Sequence, residues 1–317
     1  LDYSGSCPAL LLEPQRTNLA FTSETFGSGV GSVYLNNKVD VTYTHNYGIS
    51  PEGVKNSTRV QFNDSTAFSY RSVSLSGDNT GSLYVKGTAG EDIRFGFGNN
   101  VADGGTIHTF DGTWQRVTHT ASTGVQFYLS NYTYTGNQAS DFEIYGLQHE
   151  AASYPTSYIP TYGTSQTRLA DVCDGNVNAS NLNNAEGILY AEIKVNEING
   201  VINIKSSTTS NYAYISPASN NRVRFAVRDT QGLRYNDVNA YVSDTFNKII
   251  LKYDSNGFYG FINGVKVLTN TSAGTLFTSI DKMSFEFGNN DYYGLVNKTF
   301  YFPTALSDDE CIELTTI

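Results

Sequence analysis

Residues 141–173 read DFEIYGLQHEAASYPTSYIPTYGTSQTRLADVC and mark the point at which one β-domain ends. The segment Phe142–Leu147 alternates apolar residues with small or polar ones, which is typical of a strand. Pro155 and Pro160 then interrupt any strand ladder, because proline has no N–H to donate. The next residues, 161–167, are polar and contain glycine, which indicates a linker. The stretch therefore predicts that a second domain begins beyond it.

The composition predicts an all-β protein built from two tandem antiparallel β-sandwiches. The 317-residue chain has 23 tyrosines, 18 phenylalanines and 29 glycines, but only 16% charged residues. Aromatic and β-branched strands joined by Gly/Asn turns produce such a composition. Short runs of period-two alternation recur along both halves, as in Thr58–Phe62 and Arg222–Arg228. We therefore predict a sandwich or jelly roll over 1–162, a linker over 163–185 and a second sandwich over 186–317.

Two local signals near the end of the chain are sharper than the rest. Asn263 and Gly264 lie between alternating segments and predict a type I′ turn, because both residues of that turn need positive φ. Ser307, followed three residues later by Glu310, predicts a capping box and a short helix.

Several motifs resemble known modules. The segment LLLEPQRTNL at 10–19 resembles the opening of a carbohydrate-binding-like jelly roll common in phage virion proteins, and residues 145–173 resemble its end. The segments FINGVKV at 261–267 and FYFPTALSDDECIEL at 300–314 are similar to a laminin-G/concanavalin A-like domain. The resemblance implies a tail- or head-fibre protein, located on the virion surface or outside the cell, that adheres to host-surface glycans without a catalytic step.

Charge and cysteine content limit the partners. The formal net charge of −10 argues against nucleic acid and anionic membranes, since both attract basic patches. The sequence contains no run of 18 apolar residues, so we predict no membrane insertion. Polysaccharide or surface glycan, other virion proteins and further copies of the chain are the expected partners. Three cysteines exclude a disulfide-dense scaffold, and the sequence leaves open whether Cys7 and Cys173 pair or stay as thiols.

Two alternative functions stay open at this stage. The chain starts at Leu1 without a Met, which suggests a fragment of a longer protein. If a catalytic domain precedes Leu1, this chain would be the carbohydrate-binding region of a polysaccharide-degrading enzyme. A purely structural virion protein is the other alternative. No Gly-x-Ser-x-Gly or Glu-x-Asp-x-x-Glu motif occurs, and the four histidines lack metal-ligand spacing. We therefore predict no catalytic residue in this chain.

The candidate ligand-binding residues are aromatic rings, which stack on sugar C–H faces, and arginines, which clamp carboxylate or sulfate groups. In the first domain they are Tyr70, Arg71, Tyr128, Tyr132 and Tyr134. In the second domain they are Arg222, Arg224, Arg228, Tyr235 and Tyr292. The three arginines alternate on one face of a strand. The alternative interpretation is a solvated face that Asp229 and Asp237 neutralise.

The resemblance also implies a structural Ca²⁺ ion, which takes several oxygen ligands. Glu24 matches the position that supplies a carboxylate in such jelly rolls, and Asp141 and Glu150 are the further candidates. No dense Asp/Asn cluster surrounds Glu24, so a solvated turn residue is the alternative. The resemblance also predicts that Trp114 packs in the core.

Overall fold

The computed structural model describes residues 9–27, 34–132, 136–174, 177, 179–195, 198, 200–208, 210–240, 245–272, 274 and 277–317. In these ranges the chain is almost entirely antiparallel β-structure with one short α-helix, which confirms the predicted fold class. The chain divides into two compact units. The jelly-roll unit is residues 15–169, and the C-terminal unit is residues 1–14 together with 170–317.

The strands of the described residues are numbered in chain order. β1 to β13 are Leu10–Leu12, Arg16–Asn18, Asn37–Val39, Val41–Thr44, Thr58–Phe62, Phe68–Ser72, Asn79–Lys86, Asp92–Gly98, Thr106–Thr109, Gln115–Ala121, Gln126–Ser130, Asp141–Glu150 and Gln166–Arg168. β14 to β23 are Gly187–Val195, Ile202–Lys205, Tyr212–Ala218, Arg222–Asp229, Gly232–Asn239, Asn247–Asp254, Gly257–Ile262, Val265–Asn270, Lys282–Ser284 and Gly294–Phe302. The helix α1 spans Asp308–Thr315, and a 3₁₀ turn spans Ala179–Asn181.

The jelly-roll unit is a sandwich of two five-stranded sheets. Their strand orders are β10-β7-β12-β5-β4 and β3-β6-β11-β8-β9. The period-two alternation turns one row of each strand inward, so side chains such as Leu83, Phe95, Phe127 and Ile144 are fully buried in one core. The alternate residues of these strands face outward.

The C-terminal unit is a second sandwich. A six-stranded sheet, β1-β23-β14-β19-β20-β21, packs on a five-stranded sheet, β18-β17-β16-β15-β22. Leu189, Ile204, Phe225 and Leu251 belong to the core between them. A smaller cluster on the other side of the six-stranded sheet contains Cys311 of α1, and burial raises the pKa of its thiol to about 11.

The units differ from the predicted domains at two places. β1 pairs with β23, with Leu10 opposite Val296, so residues 9–14 belong to the C-terminal unit and not to the jelly roll. β13 lies in the predicted linker, yet it pairs with β2, with Gln166 opposite Asn18, and belongs to the jelly-roll unit. Both differences are pairings between segments far apart in sequence, which a local pattern does not reveal.

The two sharp local signals are confirmed. Asn263 and Gly264 have φ values of 49° and 80°, as a type I′ turn requires. Ser307 and Glu310 form a capping box in which the Ser307 hydroxyl accepts from the Glu310 N–H and the Glu310 carboxylate accepts from the Ser307 N–H. Within the described ranges no helix has the length and apolar character needed to cross a membrane.

Candidate functional site

The arginines that alternate in the sequence lie on β17, on the face of the five-stranded sheet that points away from the core. Val223, Phe225 and Val227 alternate with them and are fully buried in that core. Residues directly opposite in paired strands share a face, so the register adds two tyrosines of β16 and β18 to the same surface. We call this surface the arginine–tyrosine face. It consists of Tyr214, Arg222, Arg224, Arg228 and Tyr235.

The two tyrosines of this face lie on the strands that flank β17. Ala226 lies directly between Tyr214 on β16 and Tyr235 on β18. Its small side chain is fully buried, whereas Tyr214 is half-buried and Tyr235 is 57% exposed. Their backbones are two strand spacings apart, about 9.5 Å. Tyr214 and Tyr235 therefore lie on either side of a residue that the surrounding side chains cover completely.

Arg224 is held in place by its neighbours. Its Nε and Nη2 donate to the two carboxylate oxygens of Asp237 at 2.6 and 3.0 Å, and its guanidinium lies 5.1 Å from the ring centroid of Tyr235. The hydrogen bond from Arg224 lowers the pKa of the Asp237 carboxyl. Arg222 also approaches Asp237, with Nη1 3.6 Å from Oδ2. A fixed guanidinium loses less conformational entropy when it binds a ligand.

The face keeps a positive charge. Two of the three arginines, Arg222 and Arg224, pair with the carboxylate of Asp237, so three positive charges and one negative charge leave a formal charge of +2. Arg228 is exposed, and no described residue forms an ion pair with it. Asp229, the other residue predicted to neutralise the stripe, binds Arg234 at 2.6 Å instead. Neutralisation is therefore partial.

Sequence analysis missed the aromatic residues beside this stripe. The rings of Tyr212 and Tyr214 stack with centroids 5.7 Å apart, and Phe287 lies 4.7 Å from Tyr212. Lys205 is buried next to Phe287, and burial lowers the pKa of its ammonium group. The signal was present, because Tyr212 and Tyr214 alternate with core residues in the same way as the arginines.

The prediction that Tyr292 binds ligand is wrong. It is buried, and its hydroxyl donates to the backbone oxygens of Lys194 and Leu295 at 3.0 and 3.2 Å. Tyr292 closes the end of the core and does not contribute to an open surface.

The candidates of the jelly-roll unit do not gather at one surface. The prediction that Tyr128 binds ligand is also wrong. Tyr128 is fully buried, its hydroxyl donates to the backbone oxygen of Asp103 at 3.0 Å, and burial raises the pKa of that hydroxyl to about 12. Tyr70 is half-buried opposite Tyr128 on β6. Arg71 points to the other side of that strand.

Two further candidates are also packed, and one is outside the described residues. The guanidinium of Arg71 lies 5.4 and 5.6 Å from the ring centroids of Phe21 and Tyr34. Tyr132 is half-buried against Phe68, with centroids 6.2 Å apart. Tyr134 lies outside the described residues, as does Cys7, so the pairing of Cys7 with Cys173 stays a prediction.

The three carboxylates predicted as calcium ligands serve other partners. Glu24 accepts hydrogen bonds from the hydroxyls of Tyr145, Tyr158 and Tyr162 at 3.1–3.4 Å. Asp141 is bound by both Nε and Nη2 of Arg59.

Glu150 is fully buried and accepts from the Thr156 hydroxyl at 2.6 Å, the Thr156 N–H at 3.0 Å and the Gln148 amide at 2.7 Å. N–H and O–H donors thus occupy the oxygens that Ca²⁺ would need. Calcium binding by these residues stays a prediction. In the described part of the chain, no group of three His, Cys, Asp or Glu side chains has the geometry for a metal.

Comparisons with known proteins show only distant similarity. No family model and no curated protein matches the chain. Among solved structures it is similar to the CBM40 of a Ruminococcus gnavus IT-sialidase bound to α2,3-sialyllactose, with 18% identity over 42% of this chain and 84% of that chain, and a TM-score of 0.37.

Two further structural neighbours cover more of the chain. Domains LG4–5 of the mouse laminin α1 chain share 11% identity over 74% of this chain and 86% of that chain, with a TM-score of 0.31. A putative carbohydrate-binding protein from Bacteroides ovatus shares 10% identity over 94% of this chain and 84% of that chain, with a TM-score of 0.31. Similarity at this level assigns no function, which has to come from the residues of this chain.

Proposed function

We propose that this protein binds anionic carbohydrate through the arginine–tyrosine face of its C-terminal unit, without catalysing a reaction on it. The observation that carries the proposal is that an exposed Arg228, which forms no ion pair with any residue that the structure describes, shares one sheet face with Tyr214 and the exposed Tyr235. Tyrosine rings stack on the C–H face of a pyranose, and a guanidinium donates two parallel N–H bonds to a carboxylate or sulfate.

The rest of the face supports this assignment. Asp237 accepts two of the five N–H groups of Arg224 and so fixes the orientation of the guanidinium. The other three N–H donors of Arg224 are not used by Asp237. The net charge of the whole chain is −10, whereas this face is positive. An anionic ligand is therefore attracted to this face against the field of the rest of the protein.

Binding without catalysis is the form of the proposal that the site chemistry favours. Glycoside hydrolysis uses two carboxyl groups on opposite sides of the bond that breaks. The carboxylate of this face, Asp237, is engaged on both oxygens by Arg224 and is not available to transfer a proton. A host-adhesion role on a phage virion is the finer proposal, supported by the resemblance of LLLEPQRTNL and of residues 145–173. Repeated weak sites would then supply avidity.

The test is affinity electrophoresis of the full chain in gels that contain polygalacturonate, heparin or dextran. Arg228→Gln should weaken retention by the anionic polymers by roughly 10- to 100-fold, the effect of about 1.5–3 kcal/mol for hydrogen bonds to a charged group. Tyr235→Ala removes a stacking ring and should weaken retention by roughly 2- to 12-fold, the effect of about 0.5–1.5 kcal/mol. Lys298→Gln is the matched control, because Lys298 is exposed on β23 of the other sheet. Retention that is equal in all three variants would refute the proposal.

A further inference from the structure

A cleft of about 320 Å³ opens in the jelly-roll unit, where β7 ends and β12 begins. Its size is at the lower end of the roughly 300–1,000 Å³ of small-molecule sites. The lining residues come from both strand ends and from the loop after β4. They are Tyr47, Lys86, Gly87, Thr88, Asp141, Phe142 and Glu143.

The charged groups of the cleft compensate one another. Arg59 binds Asp141 through two nitrogens, and Lys86 Nζ lies 3.8 Å from Glu143 Oε1. Two cations and two carboxylates give a formal charge of zero. The Lys86–Glu143 distance exceeds that of a hydrogen bond, so the ammonium group of Lys86, on a side chain that is 42% exposed, keeps N–H donors for a ligand.

Tyr47 supplies an aromatic platform at this cleft. The Arg59 guanidinium lies 5.1 Å from its ring centroid, and the residue is still 45% exposed. The loop that carries Tyr47 is fixed: the Tyr47 N–H donates to the Ser57 oxygen at 2.9 Å, and the Gly48 N–H donates to the Ser57 hydroxyl at 2.8 Å. A Cβ at Gly48 would lie 2.1 Å from Glu143 Oε2, so only glycine lets the loop approach this carboxylate.

Trp114 also holds this loop. It is half-buried and outside the core, contrary to the prediction, and its Nε1 donates to the Ile49 oxygen at 3.0 Å. It is also the only tryptophan of the chain. Its fluorescence therefore reports on the loop that carries Tyr47.

We infer that this cleft binds a neutral pyranose sugar. The ring of Tyr47 stacks on the C–H face of the sugar, and its hydroxyls bond to the Lys86 ammonium, the Thr88 hydroxyl and the Glu143 carboxylate. Zero net charge disfavours both sulfated sugars and cationic amino sugars, because either would leave one charge unbalanced. The site shares no residue with the arginine–tyrosine face and does not depend on the function proposed there.

The test measures binding of the full chain to cellobiose, maltose, lactose and mannobiose at up to roughly 10 mM, by saturation-transfer NMR and by Trp114 fluorescence, a range that detects millimolar Kd values. At least one neutral disaccharide should bind. Tyr47→Ala and Lys86→Met should weaken that binding about tenfold or more, and Tyr47→Phe should retain it.

Tyr162→Ala is the matched control, since Tyr162 is 77% exposed in the same unit and does not line the cleft. Arg228→Gln should leave binding of the neutral sugar unchanged, which separates this site from the proposed anionic one. The inference is overturned if no neutral disaccharide binds, if Tyr47→Ala and Lys86→Met bind as the wild type does, or if sulfated or amino sugars bind more tightly at this cleft.

Discussion

Glu150 offers the sharpest test of how the jelly-roll unit is held together. The fully buried carboxylate accepts the Thr156 hydroxyl, the Thr156 N–H and the Gln148 amide, and so fastens the chain after β12 back onto that strand. Glu150→Ala leaves the Thr156 hydroxyl and the Thr156 N–H without their acceptor, whereas the Gln148 amide keeps the Thr156 backbone oxygen at 3.2 Å. Each unsatisfied donor costs about 1–3 kcal/mol, so we expect the free energy of unfolding of this unit to fall by about 2–6 kcal/mol.

Glu150→Gln should behave differently, because the site can satisfy an amide. Its carbonyl oxygen takes the position that accepts from the Thr156 N–H and Gln148, and its NH₂ group faces the Thr156 hydroxyl, which rotates to become an acceptor. Only the charge-assisted part of the interaction is lost, roughly 1 kcal/mol.

The assay is urea unfolding followed by Trp114 fluorescence, with and without chelator. Trp114 is the sole tryptophan and lies in the jelly-roll unit, so the signal separates this unit from the other one. Asp78→Asn, an exposed acidic residue of the same unit, is the control. A Glu150→Ala variant as stable as the control would refute the hydrogen-bond account. If chelator destabilises the wild type as much as Glu150→Ala does, a calcium ion bound at Glu150 is supported instead.

Two further predictions concern pH and turn geometry. Burial lowers the pKa of His149 from its ordinary 6.5 to about 4, so the unfolded chain binds a proton that the folded one does not as pH falls from 6.5 to 4. The contribution of neutral His149 to the free energy of unfolding should be fully present above pH 6.5 and should fall by about 3 kcal/mol by pH 4. Urea unfolding at several pH values should show a smaller fall in His149→Gln. Gly264→Ala places a Cβ at φ 80° and should destabilise the C-terminal unit by about 1–2 kcal/mol in far-UV circular dichroism melts; an unchanged melt would contradict the turn argument.

The strands and the arginine stripe could be predicted because both depend on neighbours in sequence. Alternation fixes which residues of a strand share a face, so Arg222, Arg224 and Arg228 were placed on one surface from their spacing alone. The turn at Asn263-Gly264 is equally local, since its dihedral angles depend on two residues.

The errors arose where remote segments decide exposure. Tyr128 lies on the outward row of its strand, but the chain at Asp103 and Gly105 covers its ring, and nothing near Tyr128 in the sequence announces this. Glu150 likewise shows no local sign that Thr156 will saturate its oxygens. Asp237 was named in advance as one of two neutralising carboxylates and Tyr235 as a candidate, but the place of Tyr214 beside them emerges only from the register of β16.

The pairing of β1 with β23 has a mechanical consequence. Because β1 and α1 belong to the same unit, tension applied between them runs through the β1–β23 hydrogen bonds. The jelly roll, which the chain builds between β1 and β14, carries none of this load while those bonds hold. The clasp of three residues from each strand would thus shield the inserted jelly roll from stretching, and its rupture would pass the load to that insert.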